Sequence, residues 1–164
     1  MKQIMTVKRL FLLFLCVPLF SFAQSVKKLP AIGTIHSIDN SSKILQQSLP
    51  AKGKIVFVFY DPGCGHCQEL GVSISKEYAS FGAAQIFFIT MNEKTYVDTY
   101  ISKYAKGLKD KKNVSFWQDP GVEFMEKFMP SSYPATYVFD AASKNLIKDF
   151  QGENDAKKIV PFLR

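Results

Sequence analysis

The sequence predicts an α/β domain: a small mixed β-sheet flanked by helices and preceded by an N-terminal extension. Two observations carry that class. Lys54–Tyr60 (KIVFVFY) and Ala84–Thr90 (AQIFFIT) are near-continuous β-branched and aromatic runs, the pattern of strands buried on both faces. A helical pattern separates them, so they pair in parallel through a right-handed crossover. Ala135–Asp140 (ATYVFD) and Leu146–Gln151 are separated only by Ala-Ala-Ser-Lys-Asn, a hairpin loop that makes them antiparallel.

Taken in order, residues 24–54 are polar and irregular, with one short helical candidate. Asn40 or Ser41 caps it, Ile44, Leu45 and Leu49 form its apolar face, and Pro50 ends it. After the first strand, Asp61-Pro62-Gly63 is turn chemistry. Cys64 to about Ser80 reads as a helix, with Cys67, Leu70, Ile74, Tyr78 and Phe81 at helical spacing and Gly82 as its stop. Beyond the second strand, Asn92 is expected to cap a helix from Glu93 to about Lys106, with Val97, Tyr100, Ile101 and Tyr104 facing inward. Asn113–Trp117 is a short extended piece. Asp119 before Pro120 reads as a cap and first helical position for a helix over Pro120–Phe128. Glu153–Leu163 closes the chain as a helix.

The first 23 residues read differently. Lys2, Lys8 and Arg9 form a basic start, Leu10–Phe20 (LFLLFLCVPLF) is uncharged and apolar, and Ser21-Phe22-Ala23 puts small residues before Gln24. That is the pattern of a signal peptide over residues 1–23, leaving 24–164 as one mature domain. The apolar run is about half of the roughly 20 residues a membrane span needs, and Pro18 interrupts it. No stable membrane insertion is expected after cleavage. Leu15 is too bulky for Cys16 to serve as a lipidated residue. The expected location is across the inner membrane, in the periplasm.

Composition narrows the function. With 47% hydrophobic and 21% charged residues, the 164-residue chain is not disordered. Its formal charge of +7 shrinks once the leader is removed. Lys+Arg falls from 21 to 18 against 14 acids, leaving +4. The densest run, Lys109, Lys111 and Lys112, lacks interleaved aromatics and reads as a solvated helix end, so no nucleic-acid partner is expected. Of three cysteines, Cys16 leaves with the leader, and Cys64 and Cys67 remain.

Cys64-Gly65-His66-Cys67 is the sharpest motif. Cys64 stands where a buried strand gives way to a helix, whose free N–H groups and dipole favour its thiolate. Cys67 lies one turn on, close enough to close a small ring. A Cys64 thiolate attacking a disulfide forms a mixed disulfide that Cys67 resolves. His66, as an imidazolium, tunes the Cys64 thiol downward, and Gly65 shares that tuning position. A structural disulfide here would constrain almost nothing in the unfolded chain. A zinc site would need four ligands, and only His36 and His66 remain to help. Covalent haem would need His where Gln68 stands. No cofactor and no metal are expected, and His36 receives no role.

Phe59-Tyr60-Asp61-Pro62-Gly63-Cys64-Gly65-His66-Cys67 resembles a thioredoxin-superfamily active site. The tetrapeptide is similar to that of protein disulfide isomerase, while the export signal and extension resemble TlpA/ResA-like envelope thiol-disulfide oxidoreductases. The resemblance covers roughly Gly53 to the C-terminus. It implies a thioredoxin-like fold, with Cys64 as the exposed nucleophile, Cys67 as the resolving thiol, and a redox partner protein in the envelope. It also implies a cis-proline at Pro134, with Tyr133 offering backbone hydrogen bonds to an extended substrate. Two positions depart from the family. Val58 stands where a buried acid is usual, leaving Asp61 as the nearest acid, and Gly63 stands where an aromatic is usual. Whether the dithiol reduces, oxidises or isomerises stays open. The alternative function is a thioredoxin-fold binding module whose dithiol is structural or holds a soft metal such as copper.

Overall fold

The computed structural model, which describes residues 26–164, builds one mixed sheet around the two apolar runs. The leader and Cys16 lie outside the described residues. The strands are β1 (His36–Ser37), β2 (Asn40–Ile44), β3 (Lys54–Phe59), β4 (Gln85–Thr90), β5 (Val114–Gln118), β6 (Ala135–Asp140) and β7 (Leu146–Gln151). Among the described residues their order is β2-β1-β5-β4-β3-β6-β7. β3 pairs in parallel with β4, and β4 with β5; the pairings β3–β6 and β6–β7 are antiparallel.

The α-helices among the described residues are α1 (Gly65–Glu77), α2 (Lys94–Tyr104) and the short α3 (Glu123–Phe128). Side chains alternate along a strand, so a run buried on both faces serves two cores. Val56, Val58 and Tyr60 face α1 and α2, packing with Cys67, Leu70, Ile74, Val97 and Tyr100. Ile55, Phe57 and Phe59 face α3 and the N-terminal extension, packing with Phe124, Phe128, Ile32, Ile35 and Leu45.

The extension departs from expectation. The helix sought around Ile44–Leu49 is absent; β1 and β2 form a hairpin instead, and only Leu45–Ser48 turns, as a 3-10 segment. The cause is distant in sequence. β1 pairs with the free edge of β5, His36 opposite Gln118 and Ser37 opposite Trp117. That edge holds polar residues extended which local pattern alone leaves undecided. Upstream, Leu29 N–H donates to the Lys144 carbonyl and Leu146 N–H to that of Lys27. Residues 27–37 therefore run as a strap across the sheet. Glu123 clamps it, accepting from the N–H groups of Gly33 (2.8 Å) and Thr34 (2.7 Å) and the Thr34 hydroxyl (2.6 Å).

Three helix ends also differ. Asn92 does not cap α2, because its N–H and amide turn back to Thr90 Oγ1. Asp119 caps from further out than expected. Its buried carboxylate accepts from Phe124 N–H at 2.8 Å, but Pro120-Gly121-Val122 stay outside α3. The final segment is two 3-10 turns, Ala156–Lys158 and Val160–Leu163, not one helix. Pro161 supplies no N–H to continue an α-helical ladder.

Candidate active site

β3 delivers the dithiol through a tight turn. Asp61 Oδ1 accepts from Gly63 N–H at 2.7 Å, and the Asp61 carbonyl accepts from Cys64 N–H at 3.1 Å. Asp61 is exposed and serves this turn. Cys64 is the N-cap of α1, with φ −79° and ψ 125°, so it sits at the positive end of the helix dipole. Its carbonyl accepts the first helical bond, from Gln68 N–H at 3.0 Å, while Gln68 Nε2 ties back to the Pro62 carbonyl at 3.0 Å. Cys64 is half-buried and Cys67 fully buried; both are free thiols. Gly65 and His66 are exposed on the first turn of α1. His36 lies in β1, three strands from β3 in the sheet, where its Nδ1 approaches the Ser37 carbonyl at 3.1 Å. The structure does not bring it to the dithiol.

The two thiols occupy different media. Burial pushes the Cys67 thiol well above its ordinary value, the Asp61 backbone N–H pulls it down, and a hydrogen bond with the Cys64 side chain raises it further. Beneath it, Val58 is fully buried and adds no polar atom.

Two buried phenols share the core cluster of Cys67. Tyr100, from α2, donates to the Cys67 carbonyl at 2.9 Å. Tyr60, from the end of β3, packs against Tyr100 with ring centroids 4.6 Å apart. Burial raises both phenols, and proximity to Cys67 adds to the rise for Tyr60. Only two buried side-chain polar atoms among the described residues lack a partner: Tyr60 Oη and Thr136 Oγ1. Thr136 lies directly across from Val58 on β6.

The Tyr133–Pro134 peptide bond is cis. β6 begins at Ala135, opposite Phe59, so Tyr133-Pro134 lies beside the end of β3 from which the dithiol turn departs. The Tyr133 ring packs on Phe59 at 5.2 Å, and its hydroxyl contacts Met125 Sδ at 3.5 Å. Burial raises the Tyr133 phenol, with Asp61 and Cys67 adding to the rise. Among the described residues no backbone hydrogen bond occupies its N–H or carbonyl. On the other side of the turn a cleft of about 380 Å³ opens between Pro62, Gly63 and Gln68 and the α2 residues Tyr96, Thr99 and Lys103. A larger cleft of about 770 Å³, around Ile38, Ile101 and Phe116, includes none of these turn residues.

The sequence motif marks both cysteines but not Tyr60 and Tyr100, which share a buried cluster with Cys67. The available signal was a polar-tipped residue at the end of an otherwise apolar buried run, since a buried phenol normally finds a partner.

Solved structures share this fold. A secreted Mycobacterium tuberculosis disulfide oxidoreductase homologous to E. coli DsbE superposes with a TM-score of 0.62 at 18% identity, covering 80% of this chain and 93% of that one. StoA from Bacillus subtilis gives 0.63 at 13% identity, covering 84% and 99%. This chain has the thioredoxin-like fold. A third thioredoxin-like neighbour, the bacterioferritin comigratory protein of Xanthomonas campestris, described with alkyl peroxide reduction activity, gives 0.64 at 14% identity over 85% and 97%. No family model and no curated relative matches the sequence. Among the described residues no helix is long and apolar enough to cross a membrane, and no three His, Cys, Asp or Glu side chains gather as a metal site.

Proposed function

We propose that this protein is an exported thiol-disulfide oxidoreductase that exchanges its Cys64/Cys67 dithiol with protein substrates in the cell envelope. One observation carries the reading. A half-exposed cysteine at a helix N-cap stands one turn from a buried one, on a thioredoxin-like scaffold. The exposed sulfur can be reached by a partner and the buried one cannot, which divides attack from resolution.

The Cys64 thiolate attacks a substrate disulfide, forming a mixed disulfide and releasing one substrate thiolate, which takes up a proton. The Cys67 thiolate then attacks Cys64 Sγ, closing the intramolecular disulfide and releasing the second thiolate. Two electrons pass from protein to substrate; the reverse sequence oxidises a substrate dithiol. His66 and Gly65, exposed on the first turn, leave the approach to Cys64 open. The unoccupied N–H and carbonyl of Tyr133 receive an extended substrate segment, with Pro134 shaping that ledge. Signal cleavage after Ala23 frees residues 24–164 into the periplasm, where a second envelope protein resets the dithiol.

The test is trapping. Cys67→Ala should accumulate dithiothreitol-sensitive adducts on Cys64 in envelope extracts, and Cys64→Ser should abolish insulin reduction. Insulin reduction surviving Cys64→Ser would sink the mechanism. Absence of adducts, together with metal co-purifying with the wild type, would favour the binding module.

A further inference from the structure

The cleft of about 380 Å³ beside the dithiol turn is chemically one-sided. Pro62, Gly63 and Gln68 form one wall, so the cleft begins at the residue next to Cys64. Gly63 puts no side chain between that turn and α2. β4 runs parallel to β3, so α2, which follows β4, starts at the same end of the sheet as the dithiol turn. Residues four apart on α2 form two ridges along the opposite wall: Tyr96, Tyr100 and Tyr104, and beside them Thr99 and Lys103. Tyr100 is fixed by its bond to the Cys67 carbonyl, whereas Tyr96, 60% exposed, is the most open large apolar side chain among the described residues. Charge singles out a ligand class. Lys103 is the one charged residue lining this cleft among the described residues, and it forms no ion pair there. Lys94, elsewhere on the same helix, is held by Asp39 at 2.9 Å and Asp98 at 2.7 Å. Helical side chains tilt toward the N-terminus of their helix, so the Lys103 stem leaves α2 in the direction of the turn.

We propose that this cleft is a side-chain subsite for the substrate polypeptide, with Lys103 the specificity-determining residue that selects a carboxylate near the reacting cysteine. This deepens the exchange reading and rests on it. A polypeptide held on Cys64 lies beside Gly63, whose Cα is only about 3.8 Å from that of Cys64, so the mouth of the cleft is within its reach. Lys103 stands two helical turns from Tyr96 on α2, about 10 Å at roughly 1.5 Å per residue. An extended chain covers that distance in about three residues, at roughly 3.3 Å each. A glutamate or aspartate at that remove meets an unpaired ammonium, with its stem against the Tyr96 and Tyr104 rings. A lysine meets like charge, with no carboxylate in the lining to offset it. The attack itself is unaltered: the Cys64 thiolate forms the new S–S bond, the substrate S–S bond breaks, and the departing thiolate takes up a proton. Selection lies in whether the neighbouring side chain finds a partner or a repulsion.

The test uses Cys67→Ala, which halts the exchange at the mixed disulfide, and symmetric peptide disulfides that differ in one residue. That residue is glutamate, glutamine or lysine, placed two or three positions from the cysteine on either side. Adducts on Cys64 should form about threefold faster at low salt with the best-placed glutamate peptide than with its glutamine counterpart, and more slowly again with lysine. Added salt should shrink the preference. In the Cys67→Ala background, Lys103→Gln should level the series, Lys103→Glu should invert it and Lys103→Arg should keep it. Lys109→Gln, an equal loss of charge in the larger cleft, should leave it in place. A lysine in the last turn of α2 also suits the helix dipole, a role that registers in melting temperature and not in peptide choice. Equal rates across the series at every position overturn the subsite, and that result needs no Lys103 variant to fold. So does a preference that Lys109→Gln levels as fully as Lys103→Gln, because net charge alone would then steer the peptides. If no peptide forms an adduct, the exchange reading itself falls and takes the subsite with it; if adducts form without regard to charge, only the subsite falls.

Discussion

The two faces of the sheet are built on different terms. On one, Phe57, Phe59, Phe124, Phe128 and Phe139 pack ring to ring, with Phe124 stacked on Phe128 at 4.0 Å and on Phe59 at 4.5 Å. Polar tips there are satisfied: Tyr137 donates to the Phe128 carbonyl at 3.1 Å and Trp117 to Ser115 Oγ at 2.7 Å. The opposite face carries Cys67 and both unpartnered hydroxyls, Tyr60 Oη and Thr136 Oγ1. The aromatic face satisfies its polar tips, while the dithiol face leaves two buried hydroxyls without partners.

Four substitutions test this division, in descending size. Phe124→Ala should cost about 3–5 kcal/mol in denaturant unfolding, while the alkylation rate of Cys64 in the folded fraction stays as in wild type. A cost below about 1 kcal/mol would remove the aromatic stack as the main support. Next comes Gly71→Ala on the dithiol face. A Cβ there would land on the Tyr100 hydroxyl and reach its ring carbon at 2.9 Å, so the phenol must leave the Cys67 carbonyl. About 1–3 kcal/mol should be lost, and hydrogen exchange should quicken around Cys67; unaltered exchange would mean Tyr100 has room to spare.

Glu123→Gln should lower stability by about 1–2 kcal/mol at neutral pH. Burial opposes its charge, but Lys127, Thr34 and the strap N–H groups outweigh that and hold the carboxyl down at about 2. Because the folded value lies below the ordinary 4.5, the carboxylate contributes fully above that value and the contribution disappears as pH falls through about 2. The variant should therefore show a shallower acid-unfolding slope between those limits, and an identical slope would dismiss the clamp. The smallest effect is Thr136→Val, which replaces an unpartnered hydroxyl by an isosteric methyl. Stability should stay level or rise by about 1 kcal/mol; a clear drop in melting temperature would show that the hydroxyl is used.

Legibility followed the range of the forces involved. β3, β4, β6 and β7 could be read because burial on two faces, or a short connecting loop, leaves a local imprint. β2 could not. Its Asn40, Ser41, Ser42 and Lys43 are exposed and carry no apolar alternation, and the hairpin exists because β5 offers β1 an open edge. The dithiol was visible as spacing and context. The unpartnered Tyr60 hydroxyl was not, because the rings around it, Phe88 and Tyr100, come from other elements.

The strap has a consequence for the order in which the molecule assembles. Ile32 and Ile35 are buried in the cluster that holds Phe124 and Phe128 of α3, and Gly33 finds its acceptor on Glu123, 90 residues later in the chain. Lys28 bridges to Asn145, later still. The first described segment to leave the ribosome is thus among the last that can dock. Closing so long a loop is entropically slow, so the strap waits while α3 and the β6–β7 hairpin form. Until then the aromatic face lacks the cover that Ile32 and Ile35 give it.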